Sequence, residues 1–319
     1  MRLSRLILPV LFAGLSAGGP ARAAEPGAFT FMAIGDVPYY IPDDYPGFER
    51  LIAAINRARP AFTVHVGDFK KGAKPCDDAT FDRAKAYFDS FEAPLVYTPG
   101  DNEWTDCHGS GFDPLERLAR LRTLFFARQE SLGRAKLTVA RQSDRFPENA
   151  RWQIGPVLFA TIHTVGSNNN LLRDDPAAFQ EYLGRTKANL AWLEEAFRVA
   201  KGQKARGVVV MTQANPGFDK WFDARSGFNS FVDALTKEAR AFPGQTLLIH
   251  GDTHQFRIDK PLKRGTDPNY SLMRFTRAEV FAEKDLHALR VTVDTAAPDL
   301  FLFSTLSVSE NLDAEGFSK

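Results

Sequence analysis

Four acidic turns share one context in this chain. Ile34-Gly35-Asp36, Val66-Gly67-Asp68, Pro99-Gly100-Asp101 and His250-Gly251-Asp252 each close a short run rich in Val, Ile, Leu or Phe. A glycine turns the chain and an aspartate caps the next element, so one such pair is ordinary turn chemistry. Four of them at the ends of buried strands ask for more. In an open α/β sheet the carboxyl ends of the strands border a common crevice. Aspartates gathered there repel one another and resist desolvation unless a positive charge lies between them. A divalent cation supplies that charge, with carboxylate oxygens and imidazoles as its donors.

Further donors surround these turns. Asn102 and Glu103 follow Asp101, and His254 stands two residues after Asp252. Tyr39, three residues beyond Asp36, either offers a phenol oxygen or packs over its loop. His163 ends an apolar run and leads into Ser167-Asn168-Asn169-Asn170. It either faces the crevice as an acid or substrate contact, or is simply hydrogen-bonded. His108 is open to the same two readings, catalytic imidazole or solvated loop residue. Lys70 and Lys71 follow Asp68, where an ammonium can meet a phosphate oxygen or face water. His65 and His250 lie inside apolar runs and read as core residues.

The runs that carry these turns are Phe29–Ile34, Phe62–Val66, Leu95–Thr98, Val157–His163, Gly207–Thr212 and Thr246–His250. Their length and composition predict strands buried on both faces. Between them apolar residues recur at helical spacing within Phe48–Ala58, Pro114–Phe126 and Thr186–Lys201. Alternation of strands and helices predicts an α/β fold with a largely buried sheet. After residue 250, Thr253–Ile258, His287–Asp294 and Leu300–Leu306 read as strands with no long helix between them. They are expected as antiparallel partners, with a second sheet as one place for them. No repeat, low-complexity tract or linker divides the chain. Residues 24–319 are therefore expected to form a single domain, with polar insertions around 102–113 and 164–178.

The order Gly-Asp, Gly-Asp, Gly-Asp-Asn-Glu and Gly-Asp-Thr-His, from residue 28 to about 260, resembles the calcineurin-like metallophosphoesterase family. That resemblance implies a four-layer α/β/β/α sandwich with two mixed central sheets. It also implies a hydrolase of phosphate esters that uses metal-activated water, with a small phosphorylated substrate. Matched to the family pattern, Asp36 is the first metal aspartate and Asp68 the one bridging two metals. Asp101 stands where the family has a ligand Asn, and Asn102 where it has a His that assists catalysis. Glu103 matches the usual acidic residue. In Thr212-Gln213-Ala214-Asn215-Pro216, Gln213 replaces a metal His. Asp252 replaces the first His of Gly-His-x-His, and His254 matches the second. Pro38 occupies the place of a further His, and His108 becomes a candidate for the missing catalytic imidazole.

These departures make a harder, more anionic donor set, which favours Mg²⁺ or Mn²⁺ over Zn²⁺. One or two cations per chain are expected. A second outcome is implied as well: a catalytically weak or inactive relative that acts as an exported metal- or phosphate-ligand-binding protein.

Other classes lack support. Across 319 residues Lys plus Arg is 40 and Asp plus Glu is 39, a balance without the signature of a nucleic-acid-binding protein. No Gly-x-Gly-x-x-Gly, P-loop or His-Glu-x-x-His occurs. Gly14-Leu15-Ser16-Ala17-Gly18 fits a serine-hydrolase elbow but falls in a leader sequence. That leader has Arg2 and Arg5, an apolar run too short to span a bilayer, and the exit Ala21-Arg22-Ala23. Residues 1–23 are accordingly expected to be a signal peptide, and the mature chain to be periplasmic or secreted, with no membrane span. In an oxidising compartment the two cysteines, Cys76 and Cys107, are expected to pair.

Overall fold

A computed structural model describes residues 27–218, 223–263 and 271–312. The expected signal peptide and its serine-hydrolase-like motif lie outside the described residues. In chain order the strands and principal helices are β1 (Ala28–Ile34), α1 (Tyr45–Ala58), β2 (Thr63–His65), α2 (Asp78–Ser90) and β3 (Leu95–Tyr97). There follow α3 (Pro114–Phe125), β4 (Ala140–Ser143), β5 (Phe146–Ile154), β6 (Val157–Thr161), α4 (Pro176–Gly202) and β7 (Gly207–Met211). The chain continues through α5 (Asn229–Ala241), β8 (Gln245–His250), β9 (Arg257–Asp259), β10 (Phe275–Glu279), β11 (Ala288–Asp294) and β12 (Phe301–Leu306).

The fold is α/β, with two mixed sheets stacked between helices. One sheet has five strands in the order β12-β11-β1-β2-β3, and the other has seven in the order β4-β5-β6-β7-β8-β10-β9. Parallel strands run through each sheet: β1, β2 and the edge strand β3 in the first, β6, β7, β8 and β10 in the second. Antiparallel strands complete the other edges.

Three apolar layers hold the stack. The middle one fills the space between the sheets, where Phe31 stacks on Phe62 at 4.8 Å and Phe159 lies flat on Trp152 at 5.4 Å. Aromatic rings bring large apolar area to a core with few rotatable bonds, so they suit a layer that must keep two sheets in register. A second layer lies between the first sheet and α1, α2 and α3, and a third between the second sheet and α4 and α5. This sandwich points the carboxyl ends of the parallel strands of both sheets toward one rim.

The late strands differ from their expected placement. β11 and β12 extend the first sheet beside β1, and only β9 joins the second. The run Thr253–Ile258 is mostly loop, since strand geometry begins at Arg257. Here Asp252 and His254 adopt left-handed backbone, which breaks a strand at the point where both side chains are needed. The helix expected over Thr186–Lys201 starts earlier, at Pro176, where the Asp175 side chain caps the amides of Ala177 and Ala178.

Candidate metal centre

Every Gly-Asp turn delivers its carboxylate to the same rim. Asp36, Asp68 and Asp252 hold left-handed backbone, with φ of 56°, 59° and 80°. Asp tolerates that region better than most residues, yet it remains sparsely populated and tends to persist where function requires it. The turns pack backbone to backbone. A Cβ on Gly67 would stand 2.5 Å from the Gly100 nitrogen and 2.8 Å from Gln213 Cγ, so only glycine fits between them. A Cβ on Gly166 would stand 2.5 Å from Asp101 Oδ2 and 2.6 Å from Asp252 Oδ1. That bare backbone lets two carboxylates from different sheets approach one point.

Hydrogen bonds then orient each acid. Asp68 accepts the Asn102 amide on Oδ1 at 3.2 Å and the Gln213 side-chain amide on Oδ2 at 3.2 Å. Asp252 accepts Gln213 Nε2 at 3.4 Å and the Asn215 amide at 3.0 Å. Asp36 receives the Asp252 amide, at 3.3 Å to each oxygen, and faces His254. Asp101 accepts the Ser167 hydroxyl on Oδ2 at 2.8 Å, while its Oδ1 is buried without a partner. Glu103 lies beneath, taking the Tyr97 hydroxyl at 2.7 Å and the amides of Gly100 and Asp68 at 2.8 and 3.1 Å. It is a brace for two turns rather than a cation donor.

Electrostatics show what the arrangement lacks. Burial raises Asp36, and raises Asp68 and Asp101 well above the usual carboxylate range. Asp101, Glu103, Asp36 and Asp252 push Asp68 further, and Asp252 and Asp106 push Asp101. Burial and the Asp36 charge lift Asp252 to about 6. A cluster this crowded is stable at neutral pH only if protonated or supplied with positive charge.

His254 makes the same point by geometry. Its Nδ1 lies 2.9 Å from Glu283 Oε2, and its Nε2 lies 3.5 Å from Asp36 Oδ1. Burial works against an imidazolium here, but Asp36 and Glu283 hold the ring above its ordinary range, and Nε2 bonds Asp36 when it carries the second proton. Either a second proton or a cation must lie between them. A carboxylate fixing the far nitrogen is also the usual support of a metal-binding imidazole. The chemistry of this donor set fits a hard divalent cation. The cage is not closed, however: among the described residues no three His, Cys, Asp or Glu side chains converge tightly enough to enclose an ion.

The remaining expected residues fall in different places. Tyr39 reaches the centre, where its phenol bonds the Asn102 side chain and feels Asp68, Asp36 and Asp101. Its ring also packs edge-on against His254 at 5.0 Å. Gln213 reaches the centre too, but with its oxygen turned away. Oε1 accepts the Gly166 amide at 2.6 Å, so the side chain presents N–H groups to the acids rather than a ligand oxygen. Lys70 is fully buried with the charges of Glu103, Asp68, Asp106 and Asp101 around it, which removes it from direct substrate contact. Lys71 is exposed and lies over the Tyr40 ring at 5.2 Å.

His163 does not join the cluster. It is buried, with Nδ1 bonded to Glu148 at 2.9 Å and Glu148 bonded in turn to Arg122 at 2.6 Å. Its charged neighbours are Glu148, Arg185 and Arg122. The residue is part of a buried polar layer beside Trp104, whose ring lies 5.5 Å away. His108 is exposed and bonds the Thr105 carbonyl at 2.8 Å within its own turn. His65 and His250 are buried core residues, as expected.

Cys76 and Cys107 form a disulfide with Cα atoms 5.7 Å apart. Both sulfurs lie against the Asn102 carbonyl, at 3.8 and 3.7 Å, so the bridge backs the turn that carries Asp101 and Asn102.

Three contributors carried no sequence signal. Ser167 meets Asp101 and Asp106 only because Ser167 to Asn170 all hold left-handed backbone. Arg185 supports that turn by bonding Asn169 Oδ1 at 2.5 Å and the Asn169 carbonyl at 3.0 Å. Glu283 arrives from a distant loop.

No family model matches the sequence, and no curated protein matches it. Solved structures share the fold. A dimetal phosphatase from Danio rerio superposes with a TM-score of 0.55 at 13% identity, over 88% of this chain and 98% of that one. Purple acid phosphatase PPD1 from yellow lupin (Lupinus luteus) seeds gives 0.53 at 11% identity, over 89% of this chain and 55% of that one. At such identities the likeness establishes the metallophosphoesterase-like sandwich and nothing finer.

Proposed function

We propose that this chain is an exported, metal-dependent hydrolase of phosphate esters. The observation that carries the reading is the His254–Asp36 pair, which needs a proton or a cation between its two members, at a rim of mutually repelling carboxylates. The fold it shares with phosphatases supports the same reaction class. Asp36, Asp68 and His254 would hold the cation, with Tyr39 beside them. Bound there, a divalent ion supplies Lewis-acid polarisation of the phosphoryl group and makes water more acidic.

The chain's own groups do the rest. Glu103 and Gly67 fix the Asp68 turn, and the Asn102 amide sets the Asp68 rotamer. The Asn102 side chain and the Tyr39 phenol are the polar groups able to meet a phosphoryl oxygen. A groove of about 800 Å³, lined in part by Asn168, Asn215, Phe218 and Phe228, adjoins the cluster through Asn215, whose amide holds Asp252, and would receive the organic part of a small phosphorylated substrate. Export is supported by the disulfide and by the leader-like N-terminus of the sequence. Among the described residues no helix is long and apolar enough to cross a membrane.

The test is release of nitrophenol from nitrophenyl phosphate mono- and diesters with Mg²⁺, Mn²⁺, Ca²⁺ or Zn²⁺ added singly. Turnover with Mg²⁺ or Mn²⁺ and little with Zn²⁺ is expected, because oxygen donors predominate. Absence of turnover with every metal would overturn the hydrolase reading. It would leave the second one, a weak or inactive relative that binds a metal or phosphate ligand. The open cage and the inward N–H groups of Gln213 favour that alternative.

A further inference from the structure

We propose that this chain binds a single divalent cation, on the Asp36–His254 side of the cluster, and that the buried amide of Gln213 closes the other side. The inference rests on the metal-dependent reading above and narrows it. The cluster has two flanks that share Asp68. On one flank stand Asp36, Tyr39 and His254; on the other stand Asp101, Gln213 and Asp252.

The first flank is held together by a replaceable proton. Asp36 takes one long contact per oxygen from a single amide, and its other partner is His254 Nε2 at 3.5 Å, with Nδ1 held by Glu283, so that the proton between them is one a cation can replace. Both groups are then positioned to accept, and a cation satisfies both at once.

The second flank is already supplied. Gln213 is fully buried and spans it, donating to Asp68 Oδ2 and Asp252 Oδ1. Its orientation is fixed by Gly166, whose amide can meet only an acceptor. Rotating the group would set N–H against N–H in a buried place and leave a donor unpaired, which is costly. A cation entering here would therefore face the positive end of an amide dipole. The other Asp252 oxygen is held by the Asn215 amide, and Asp101 Oδ2 by Ser167. Only Asp101 Oδ1 lacks a partner, and one free oxygen is a single protein donor where a bound cation needs several.

The experiment counts Mn²⁺ bound to the full-length exported protein by titration calorimetry and reads its electron paramagnetic resonance. Wild type is expected to bind one Mn²⁺ per chain with an uncoupled six-line spectrum. Gln213→Glu keeps an oxygen for the Gly166 amide and replaces the inward N–H groups with a second oxygen. It is expected to bind two Mn²⁺ per chain with an exchange-coupled spectrum. Gln213→His is the second variant, should the first fold poorly by circular dichroism.

Two coupled Mn²⁺ ions in wild type would overturn this inference and leave the hydrolase reading standing. A count of one in wild type and in both folded variants would overturn the role given to Gln213. No bound Mn²⁺ in wild type would overturn this inference and the metal-dependent reading together. Nitrophenyl phosphate turnover, followed in parallel, separates the two: one bound Mn²⁺ without turnover supports the count and sinks only the hydrolase.

Discussion

The Tyr97 hydroxyl donates to Glu103 at 2.7 Å directly beneath the turns that carry Asp68 and Asp101. The same carboxylate receives the amides of Gly100 and Asp68. Glu103→Ala would leave three buried donors without a partner, for a loss of about 3 kcal/mol or more in urea unfolding. Glu103→Gln keeps one oxygen and should lose less. If both variants unfold at the wild-type midpoint, Glu103 does not brace these turns.

A second expectation concerns pH. Burial and mutual repulsion raise Asp36, Asp68, Asp101 and Asp252, the last to about 6. A carboxyl raised in the folded state favours folding while protonated and ceases to as pH climbs through the folded value. Metal-free protein should thus lose melting temperature as pH climbs from about 4, where an ordinary carboxylate ionises, through about 6, where Asp252 does. Acid has its own limit. Burial works against the Glu148 carboxylate, but His163 and Arg122 hold it down to about 2, so its contribution fades as pH falls below the usual glutamate range. Mn²⁺ should raise the melting temperature far more at pH 7.5 than at pH 4.5. A shift of equal size at both pH values would show that the cation does not bind these acids.

Much of the site was legible because local rules act on it. Gly-Asp at the end of an apolar run announces a turn with a carboxylate beyond it, and four such turns in one sandwich must meet at a rim. What stayed hidden depends on partners distant in sequence. Gln213 reads as an oxygen ligand until the Gly166 amide is seen to claim that oxygen. His163 reads equally as a crevice residue or a hydrogen-bonded one until Glu148, from the neighbouring strand, is seen to take its ring. The strand Phe275–Glu279 has no clear signature because Arg277 and Glu279 interrupt it. Both are buried, Arg277 against Asp259 and Glu279 against Arg257 across the β9–β10 pair, which no alternation rule anticipates. Helix α2 places Asp82, Arg83 and Lys85 between its apolar residues and has a weaker stripe than the α1 sequence.

The disulfide offers a third test. It closes a separation of 31 residues, and a loop of that size stabilises by about 3–4 kcal/mol in the chain-entropy view. Cys76→Ser with Cys107→Ser should lower stability by that order. Since both sulfurs back the Asn102 carbonyl, and the Asn102 amide orients Asp68, Mn²⁺ affinity should fall as well. Calorimetry showing unchanged affinity in the folded double variant would separate the bridge from the metal centre.

The last prediction concerns Asp68, which both flanks of the cluster share. Asp68→Asn keeps the size of the side chain and removes one negative charge. Its oxygens now accept the Asn102 amide and Gln213 Nε2, so the new NH₂ group must face one of those donors, a cost of about 1–3 kcal/mol. Against that, relief from Asp101, Glu103, Asp36 and Asp252 is a gain. The melting temperature of the metal-free variant should therefore stay within a few degrees of wild type. Activity should not survive. With Asp68 neutral the cation loses its central carboxylate, and nitrophenyl phosphate turnover should drop at least about a hundredfold, roughly 3 kcal/mol of transition-state stabilisation. The control is Asp144→Asn, in the exposed turn between β4 and β5, where Asn suits the turn as well as Asp. Asp78, which looks like a loop residue in the sequence, is unsuitable, because it begins α2 and pairs with Arg117 at 2.9 Å. Full turnover in Asp68→Asn with unchanged bound metal would mean that the reaction takes place somewhere other than this rim.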